Sequence, residues 1–237
     1  MVFDLLSKDI ETLTCPALVV FSKASSQKDK SAKITHSELN KKLTRAIDDK
    51  TITGKLSETI VYRELNYKNF RHVLVVGLGK ENDMNPESIR QAMAAASEAI
   101  KSAGIKEAAI HFDGVSSNKK DLNELAQAAA EGLGLSSYSM NELKSKKTSG
   151  KESKEEETTL HLVTNTNDKT FKTAFSDGVM LASCVNFSRR LGDLPGNLMT
   201  PTILANSAAD AAKGTGIKVT IWDKARIKKE RMGGLLG

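Results

Sequence analysis

The organisation of this chain is clearest at residues 186–201, which read Asn186-Phe-Ser-Arg-Arg-Leu-Gly-Asp-Leu-Pro-Gly-Asn-Leu-Met-Thr-Pro201. A helix is predicted to end near Arg189 and Arg190, because cations are favoured at the negative end of the helix dipole. The loop formers Pro195, Gly196 and Asn197 follow. A new helix is predicted to begin at Thr200-Pro201, where Thr caps the first turn and Pro has no N–H to leave unpaired.

A long helix is predicted to precede this loop, from Asp168 to about Arg190. Its apolar residues recur every three or four positions, at Phe171, Phe175, Val179, Ala182 and Val185. Such a helix is about 33 Å long and can connect two domains. After the loop, the pattern predicts a helix over residues 202–213, a strand over 217–222 and a short basic helix over 224–231.

The first two thirds of the chain alternate strand and helix patterns. Residues 72–79 form a continuous apolar run, which predicts a strand buried on both faces. Further strands are predicted at 17–21, 59–63, 108–112 and 158–164, and helices at 38–47, 86–103 and 121–131. This order indicates an α/β fold with parallel βαβ units.

Three connecting segments are also predicted. Residues 59–63 are expected to belong to a hairpin that begins near Thr51, with Gly54 in the turn. The polar segment 22–37 is expected to be a loop. Residues 141–157 contain five Lys and five Glu and are expected to form an exposed loop.

Composition limits the classes of protein. The chain has 237 residues, 39% of them hydrophobic, and a net charge of +6. The basic residues are dispersed, so nucleic-acid binding remains only an alternative. No apolar run approaches the ~20 residues of a membrane span, and the first ten residues do not resemble a secretory signal. Cys15 and Cys184 are expected to be buried thiols in a reducing cytosol.

Two short motifs of the sequence are typical of ligand-binding sites but also have simpler structural interpretations. Gly77-Leu-Gly79 lacks the third glycine of a dinucleotide fingerprint, since position 82 is Asn, and indicates a plain turn. Asp113-Gly114 follows a predicted strand, at the edge where α/β proteins often bind ligands, but a turn is the simpler interpretation.

Other catalytic patterns are missing from the sequence. No HExxH or GxSxG pattern is present. His36, His72, His111 and His161 are dispersed, and the three on predicted strands are expected to be sheet residues with satisfied hydrogen bonds. Arg189 and Arg190 are expected to end a helix or to contact another domain.

The junction at 186–201 resembles that of the leucyl aminopeptidases, the cytosolic dinuclear-metal peptidases. Their Arg-x-Leu-x-Asn-x-Pro-x-Asn-x-x-Thr-Pro pattern is matched at Arg189, Leu191, Pro195, Asn197 and Thr200-Pro201. Asp193 stands where the family usually has Asn.

Three more segments resemble the same family in the same order. They are residues 73–80, the Glu-Gly-Leu-Gly-Leu-Ser-Ser-Tyr run at 131–138 with Lys144 to Lys147 after it, and the Met-Gly-Gly start at 232–234. The resemblance implies a macro-domain-like mixed sheet flanked by helices over residues 1–167. It further implies a connecting helix over 168–190 and the beginning of a peptidase catalytic domain over 191–237.

The resemblance also implies an activity. Members of the family are hydrolases that release N-terminal amino acids from peptides, with two divalent ions, Zn or Mn, that activate a water. They are cytoplasmic homo-hexamers. The family's metal-binding and catalytic segments, including its Asn-Thr-Asp-Ala-Glu-Gly-Arg run, do not occur in residues 1–237. No catalytic, metal-binding or substrate-binding residue is therefore assigned, and the chain alone, as an N-terminal piece or truncated product, is expected to be inactive.

Two alternatives remain open. The chain could be a non-catalytic module for oligomerisation or nucleic-acid contact, in which case a basic surface would bind DNA in a salt-dependent way. It could also bind a nucleotide-like ligand such as ADP-ribose in a macro-domain-type cleft.

Overall fold

Residues 2–25, 31–115, 119–140 and 157–236 are described by a computed structural model of the chain. They divide into two units, Met1–Asn186 and Phe187–Gly237.

The first unit is built on a mixed β-sheet. Its described residues form seven strands: β1 (Val2–Ser7), β2 (Ala17–Ala24), β3 (Lys33–Ile34), β4 (Thr59–Tyr62), β5 (His72–Lys80), β6 (Glu107–His111) and β7 (Thr159–Thr164). The strand order is β1-β7-β6-β2-β5-β4, and β3 pairs with β2. The five strands from β1 to β5 in that order are mutually parallel, whereas β3 and β4 are antiparallel to their neighbours.

Helices cover both faces of this sheet. They are α1 (Ser37–Lys42), α2 (Thr44–Asp48), α3 (Pro86–Ser102), α4 (Lys119–Ser136) and α5 (Lys169–Asp193), with short 3-10 helices at Ile10–Thr12 and Glu81–Asp83. Alternate residues of the central strands divide between two cores. Val19 and Phe21 pack with α3 and α4, while Leu18 and Val20 pack with Leu39 of α1 and its neighbours. The expectation of a sheet buried on both faces is therefore confirmed.

Helix α3 begins where the sequence predicts. The Asn85 side chain accepts a hydrogen bond from Ser88 N at 3.0 Å, and Ser88 Oγ accepts one from Asn85 N at 2.9 Å. This reciprocal cap satisfies two backbone donors at once. Ile89, Met93 and Ile100 of α3 are fully buried, and their spacing places them on one face of the helix.

The Glu-Gly-Leu-Gly-Leu run lies in α4 and holds two helices together. A Cβ at Gly132 would lie 2.5 Å from the carbonyl oxygen of Arg90 in α3, so only glycine permits this approach. Beside it, Glu131 forms an ion pair with Arg90 and accepts a hydrogen bond from Gln127 at 2.8 Å. Within the described residues, this run therefore packs α4 against α3.

The second unit contains α6 (Pro201–Ala212), α7 (Lys224–Lys229) and a 3-10 helix at Gly233–Leu235. The predicted cap of α6 is confirmed, because Thr200 Oγ1 accepts a hydrogen bond from Ile203 N at 3.3 Å and Pro201 is the first helical residue. None of the described residues of this unit is buried.

The predicted strand over 217–222 is wrong. These residues form no β-ladder within the described chain, and Ile217 is 67% exposed. An extended segment becomes a strand only when a neighbour satisfies its backbone groups, and no described segment does so here.

The predicted hairpin from Thr51 is also wrong. Strand β4 pairs instead with β5. The segment around Gly54 bonds to the end of β5, where Gly79 N donates to Gly54 O at 2.9 Å.

Smaller differences concern element boundaries. The predicted loop over 22–37 contains the end of β2 and all of β3, and the predicted helix over 38–47 is divided into α1 and α2. On α5, Phe171, Phe175 and Ala182 are buried as expected, but Val179 and Val185 are exposed. Strand β1 was not predicted. Of the predicted loop at 141–157, residues 141–156 lie outside the described residues.

Candidate functional site

The carboxyl ends of β2, β6 and β7 meet at one edge of the sheet, which is where open α/β sheets bind ligands. Asp113 lies two residues beyond β6. Its carboxylate accepts hydrogen bonds from Thr164 Oγ1 at 2.6 Å and from Asn165 N at 3.0 Å, both just after or at the end of β7. The turn predicted at Asp113-Gly114 is present, and it is tied to the neighbouring strand.

A cleft of about 250 Å³ opens at this edge. We call it the carboxyl-edge cleft. Its lining residues are Glu11, Thr35, His36, Ser37, Glu38, His111, Asp113 and Gly114. They come from three separate parts of the chain, namely the first 3-10 helix, the stretch from the end of β3 into α1, and the end of β6 with the turn after it.

Two histidines form the wall of the carboxyl-edge cleft. The rings of His36 and His111 pack edge to face with their centroids 5.2 Å apart, and the Tyr67 ring packs edge to face with His36 at a centroid distance of 5.5 Å. His36 is 8% exposed and His111 is 9% exposed. The Nδ1 atom of each ring is buried without a hydrogen-bond partner in the described structure.

Burial favours the uncharged form of both imidazoles and lowers their pKa. It lowers the pKa of His36, and Glu38 opposes this shift only in part. It lowers the pKa of His111 as well, against the opposing charge of Asp113, whose Oδ2 lies 3.8 Å from His111 Nε2. A charged imidazolium loses more hydration on burial than a neutral ring does.

The remaining charge of the carboxyl-edge cleft is acidic. Lys68 lies next to the cleft and pairs with Glu11 at 2.5 Å and with Glu38 at 3.3 Å. Tyr67 donates its hydroxyl hydrogen to Glu38 at 2.6 Å, and burial together with this bond raises the pKa of Tyr67 to about 12. The cleft is thus lined by three carboxylates, those of Glu11, Glu38 and Asp113, and one lysine, Lys68, lies beside it.

The expectation that strand histidines have satisfied hydrogen bonds holds at two positions and fails at one. His72 Nδ1 accepts from Glu64 N at 3.1 Å. His161 lies between Asp4 at 2.6 Å and Glu107 at 3.2 Å, and so links β1, β7 and β6. His111 departs from the expectation because its Nδ1 lacks a partner.

The other motifs have structural positions outside the carboxyl-edge cleft. After Gly79 the chain enters a 3-10 helix and reaches α3 only at Pro86, as expected for a plain turn. Arg189 and Arg190 lie in the last turns of α5. Pro195 O accepts hydrogen bonds from Leu198 N and Met199 N, which shape the loop.

Neither cysteine forms a disulfide. Cys15 is buried as expected, and burial raises the pKa of its thiol to about 11. Cys184 is exposed, contrary to expectation, because it lies on the outer face of α5.

A dinuclear metal site does not fit the residues described. Among residues 2–25, 31–115, 119–140 and 157–236, no three His, Cys, Asp or Glu side chains converge as metal ligands. Within the same part of the chain, no helix combines the length and apolarity needed to cross a bilayer.

The sequence provided one signal for the carboxyl-edge cleft, the Asp113-Gly114 turn at a strand end. It provided none for Glu11, His36 or Glu38, because their proximity to Asp113 depends on strand order.

Two segments of the chain match models of the same protein family. Residues 18–147 match a model described as the cytosol aminopeptidase family, N-terminal domain, and residues 186–237 match that family's catalytic domain. The first match covers more than half of the chain.

Curated relatives agree with these matches. A probable cytosol aminopeptidase of Bdellovibrio bacteriovorus is 63% identical over all of this chain, which covers 47% of that protein. A probable cytosol aminopeptidase of Alkalilimnicola ehrlichii is 28% identical over 97% of this chain, which covers 46% of that protein. The chain therefore spans about half the length of these relatives.

Solved structures have the same fold. A tomato leucine aminopeptidase variant superposes over 98% of this chain with a TM-score of 0.74 at 22% identity, and 46% of its own chain is covered. A bottromycin maturation enzyme in complex with Mn superposes over 85% of the chain with a TM-score of 0.62 at 17% identity, and 37% of it is covered.

Proposed function

The chain belongs to the cytosol aminopeptidase family, and we propose that it supplies the N-terminal domain and the beginning of the catalytic domain of a metal-dependent aminopeptidase. The complete enzyme would release N-terminal amino acids from peptides. The observation that carries this proposal is that models of both family domains match a single chain, in order, at residues 18–147 and 186–237. We propose domain limits of 1–167, 168–190 for the connecting helix, and 191–237.

We propose that the residues that bind two divalent ions, Zn or Mn, and the catalytic residues lie outside these 237 positions. The support is that the family's Asn-Thr-Asp-Ala-Glu-Gly-Arg run does not occur in residues 1–237. The role left to this chain is to carry and position the catalytic domain through α5 and the loop at Pro195.

The test is a peptidase assay. Purified 237-residue chain, incubated with a leucyl-anilide substrate and Zn²⁺ or Mn²⁺, should give the rate of a metal-only control. Turnover above that control would show that a catalytic site exists within this chain and would overturn the assignment of catalysis elsewhere.

A second observation tests the family role without depending on activity. The coding DNA beyond the Gly237 codon should continue in frame and encode the family's Asn-Thr-Asp-Ala-Glu-Gly-Arg segment. A frame that lacks this segment would contradict the proposal of a complete peptidase.

We further propose that the complete enzyme is a cytoplasmic homo-hexamer. The support is the family membership itself. Sedimentation equilibrium of the complete enzyme should give six times the subunit mass, and a monomeric mass would contradict this part of the proposal.

A further inference from the structure

We propose that β1 is an interface between two copies of this chain, in which it pairs antiparallel with β1 of the second copy about a two-fold axis at Leu6. Three features support this pairing: an open edge of the sheet, the contrast with the opposite edge, and the self-complementary charge of β1. The pairing goes beyond the proposed function, which assigns no surface of the chain to a contact between subunits.

Strand β1 forms one end of the described sheet, where its neighbour is β7. Val2 N donates to Thr158 O at 3.0 Å, so Val2 and every second residue after it bond to β7. The N–H and C=O groups of Phe3, Leu5 and Ser7 therefore face away from the sheet, and no described strand pairs with them. A row of unpaired backbone groups of this kind is a template for another strand.

The opposite edge of the sheet is protected against such pairing. Strand β4 has four residues, and left-handed backbone occurs two residues before and two residues after it, with φ of 62° at Ser57 and 57° at Glu64. The exposed Arg63 follows β4 and donates to Ala103 O at 2.8 Å. Short length, local distortion and charge are the devices by which proteins block an edge strand.

Strand β1 has none of these devices. It is six residues long, and no residue from 2 to 8 has a positive φ. Its outward-facing residues, Phe3, Leu5 and Ser7, carry no charge, and no proline interrupts them. The two ends of the described sheet therefore differ in the way expected if one end is exposed to solvent and the other is covered by a strand.

Charge identifies the second strand as another β1 and sets its register. Asp4 and Lys8 are the charged residues among positions 2–8, and they have opposite sign. A two-fold axis at Asp4 would place two carboxylates opposite each other, and an axis at Leu5 would place Asp4 opposite Leu6. An axis at Leu6 places Asp4 opposite Lys8 of the second copy, and symmetry repeats this pair.

The groups needed for this register are accessible. The Asp4 side chain is 50% exposed, and Lys8 is exposed as well. Asp4 bonds to His161 through Oδ1, and its Oδ2 has no hydrogen-bond partner within the described residues. The half-buried Leu6 would meet its own copy on the axis, and Leu5 would exchange backbone hydrogen bonds with Ser7 of the second copy.

An apolar groove adjoins the open edge. It has a volume of about 510 Å³ and lies between β1 and α5, where Leu5, Phe175 and Val179 are among its lining residues. Val179 is exposed here although its spacing on α5 predicts burial. A two-fold axis normal to the sheet would bring the grooves of the two copies side by side and remove apolar surface from water.

Sedimentation velocity of the 237-residue chain tests the pairing, and we expect a monomer–dimer equilibrium. Lys8→Glu places an acidic group opposite Asp4 at two symmetric positions, so it should weaken dimerisation about tenfold or more. Lys41→Glu makes the same change of charge on the exposed surface of α1 and should leave dimerisation unchanged.

A second pair of variants compares the two edges. Leu5→Lys introduces a charge at an outward-facing position of β1 and should abolish the dimer. Val61→Lys does the same on β4 and should leave the dimer intact. The pair is matched, because Leu5 and Val61 are both partly buried and pack against the same core. Circular dichroism checks folding, and Lys8→Glu still reports if Leu5→Lys does not fold.

NMR hydrogen exchange locates the interface without any substitution. The amides of Leu5 and Ser7 should become protected as protein concentration rises, whereas those of Thr59 and Val61 on β4 should not. This pattern distinguishes pairing through β1 from association through the exposed apolar residues of the second unit.

Three results would overturn the proposal. They are a chain that stays monomeric up to about 1 mM, a dimer that neither Lys8→Glu nor a folded Leu5→Lys protein weakens, and a dimer in which the Leu5 and Ser7 amides remain unprotected. None of them concerns peptidase activity, so failure here is distinguishable from failure of the proposed function.

Discussion

Gly77 of β5 lies directly against the backbone of Lys55. A Cβ built at position 77 would lie 1.8 Å from the Lys55 carbonyl oxygen. Hydrogen bonds hold the two segments together, from Ser57 N to Gly77 O at 3.0 Å and from Gly77 N to Glu58 O at 2.8 Å. The first glycine of the Gly-Leu-Gly pattern is thus required for close backbone packing, which explains the pattern without a bound dinucleotide.

Gly77→Ala should therefore destabilise the first unit. We expect the free energy of unfolding to fall by at least about 2 kcal/mol, because the added methyl group meets backbone rather than a side chain that can move. Urea unfolding followed by circular dichroism measures this. Gly196→Ala is the control, since a Cβ there meets nothing within 4 Å. Equal stability of the two variants would contradict the packing role of Gly77.

Gly132→Ala should loosen the contact of α3 with α4. A Cβ at position 132 would lie 2.5 Å from Arg90 O and 2.9 Å from Met93 Cβ, so the helices must separate. We expect a loss of about 1–3 kcal/mol in the free energy of unfolding. Gly192→Ala, in α5 with nothing within 4 Å of its Cβ, should be neutral or slightly stabilising because alanine favours helix. A stable Gly132→Ala protein would show that α3 and α4 tolerate separation.

Stability should decrease as the pH falls below about 6.5, the ordinary histidine value. Burial lowers the pKa of His36 and His111 in the folded chain, so below that pH the unfolded chain binds more protons than the folded chain. Unfolding then becomes easier as protons are added. Asp113, Glu38 and Glu11 oppose the shifts, whereas Lys68 adds to that of His36.

Urea unfolding at pH 7.5 and 5.5 measures this dependence. A His36→Gln/His111→Gln double variant should lose less stability between the two pH values than the unmodified chain. Some dependence should remain, since burial also lowers the pKa of His72. The pKa of Glu38 and of Glu81 is lowered from 4.5, so these groups titrate below this range. An unchanged pH dependence in the double variant would refute the assignment to these two rings.

The two cysteines should differ sharply in reactivity. With a pKa of about 11, only about one Cys15 thiol in a thousand is ionised at pH 8, and the side chain is 5% exposed. An aromatic disulfide reagent should therefore modify one thiol quickly, that of the exposed Cys184. Cys184→Ser should leave only a slow reaction at the rate of unfolding, and a fast reaction in that variant would contradict the burial of Cys15.

The rate of amide hydrogen exchange should differ between the parts of the chain before and after Pro195. Residues 73–76 lie in the centre of β5 and are almost completely buried, so their amides should exchange slowly. None of the described residues from 198 to 236 is buried, so their amides should exchange fast. Mass spectrometry of peptides after deuterium labelling tests this, and uniform protection would contradict it.

Local sequence patterns predicted much of this fold. The apolar run of β5, the start of α3 at residue 86 and the Thr200-Pro201 start of α6 each depend on neighbouring residues only, and all three are confirmed. The strand predicted at 217–222 failed because strand formation depends on a partner, which the pattern of one segment does not contain.

The candidate site was less predictable for the same reason. His36 follows β3 and His111 ends β6, and they meet only because β2 lies beside both strands. Nothing within a few residues of His36 indicates that contact. Asp113 alone was suggested by the sequence, since a polar residue just after a buried strand lies at the ligand-binding edge whatever the strand order.

Strand β1 begins at Val2, yet its partner in the described sheet is β7, which begins only at Thr159. Strand β1 can therefore pair only after most of the domain that follows it has been synthesised. The pairing closes a loop of nearly the whole domain, so its entropic cost comes late in folding. His161 of β7 bonds to Asp4 of β1 on one side and to Glu107 of β6 on the other. These bonds fix the register of β1 once it has paired with β7.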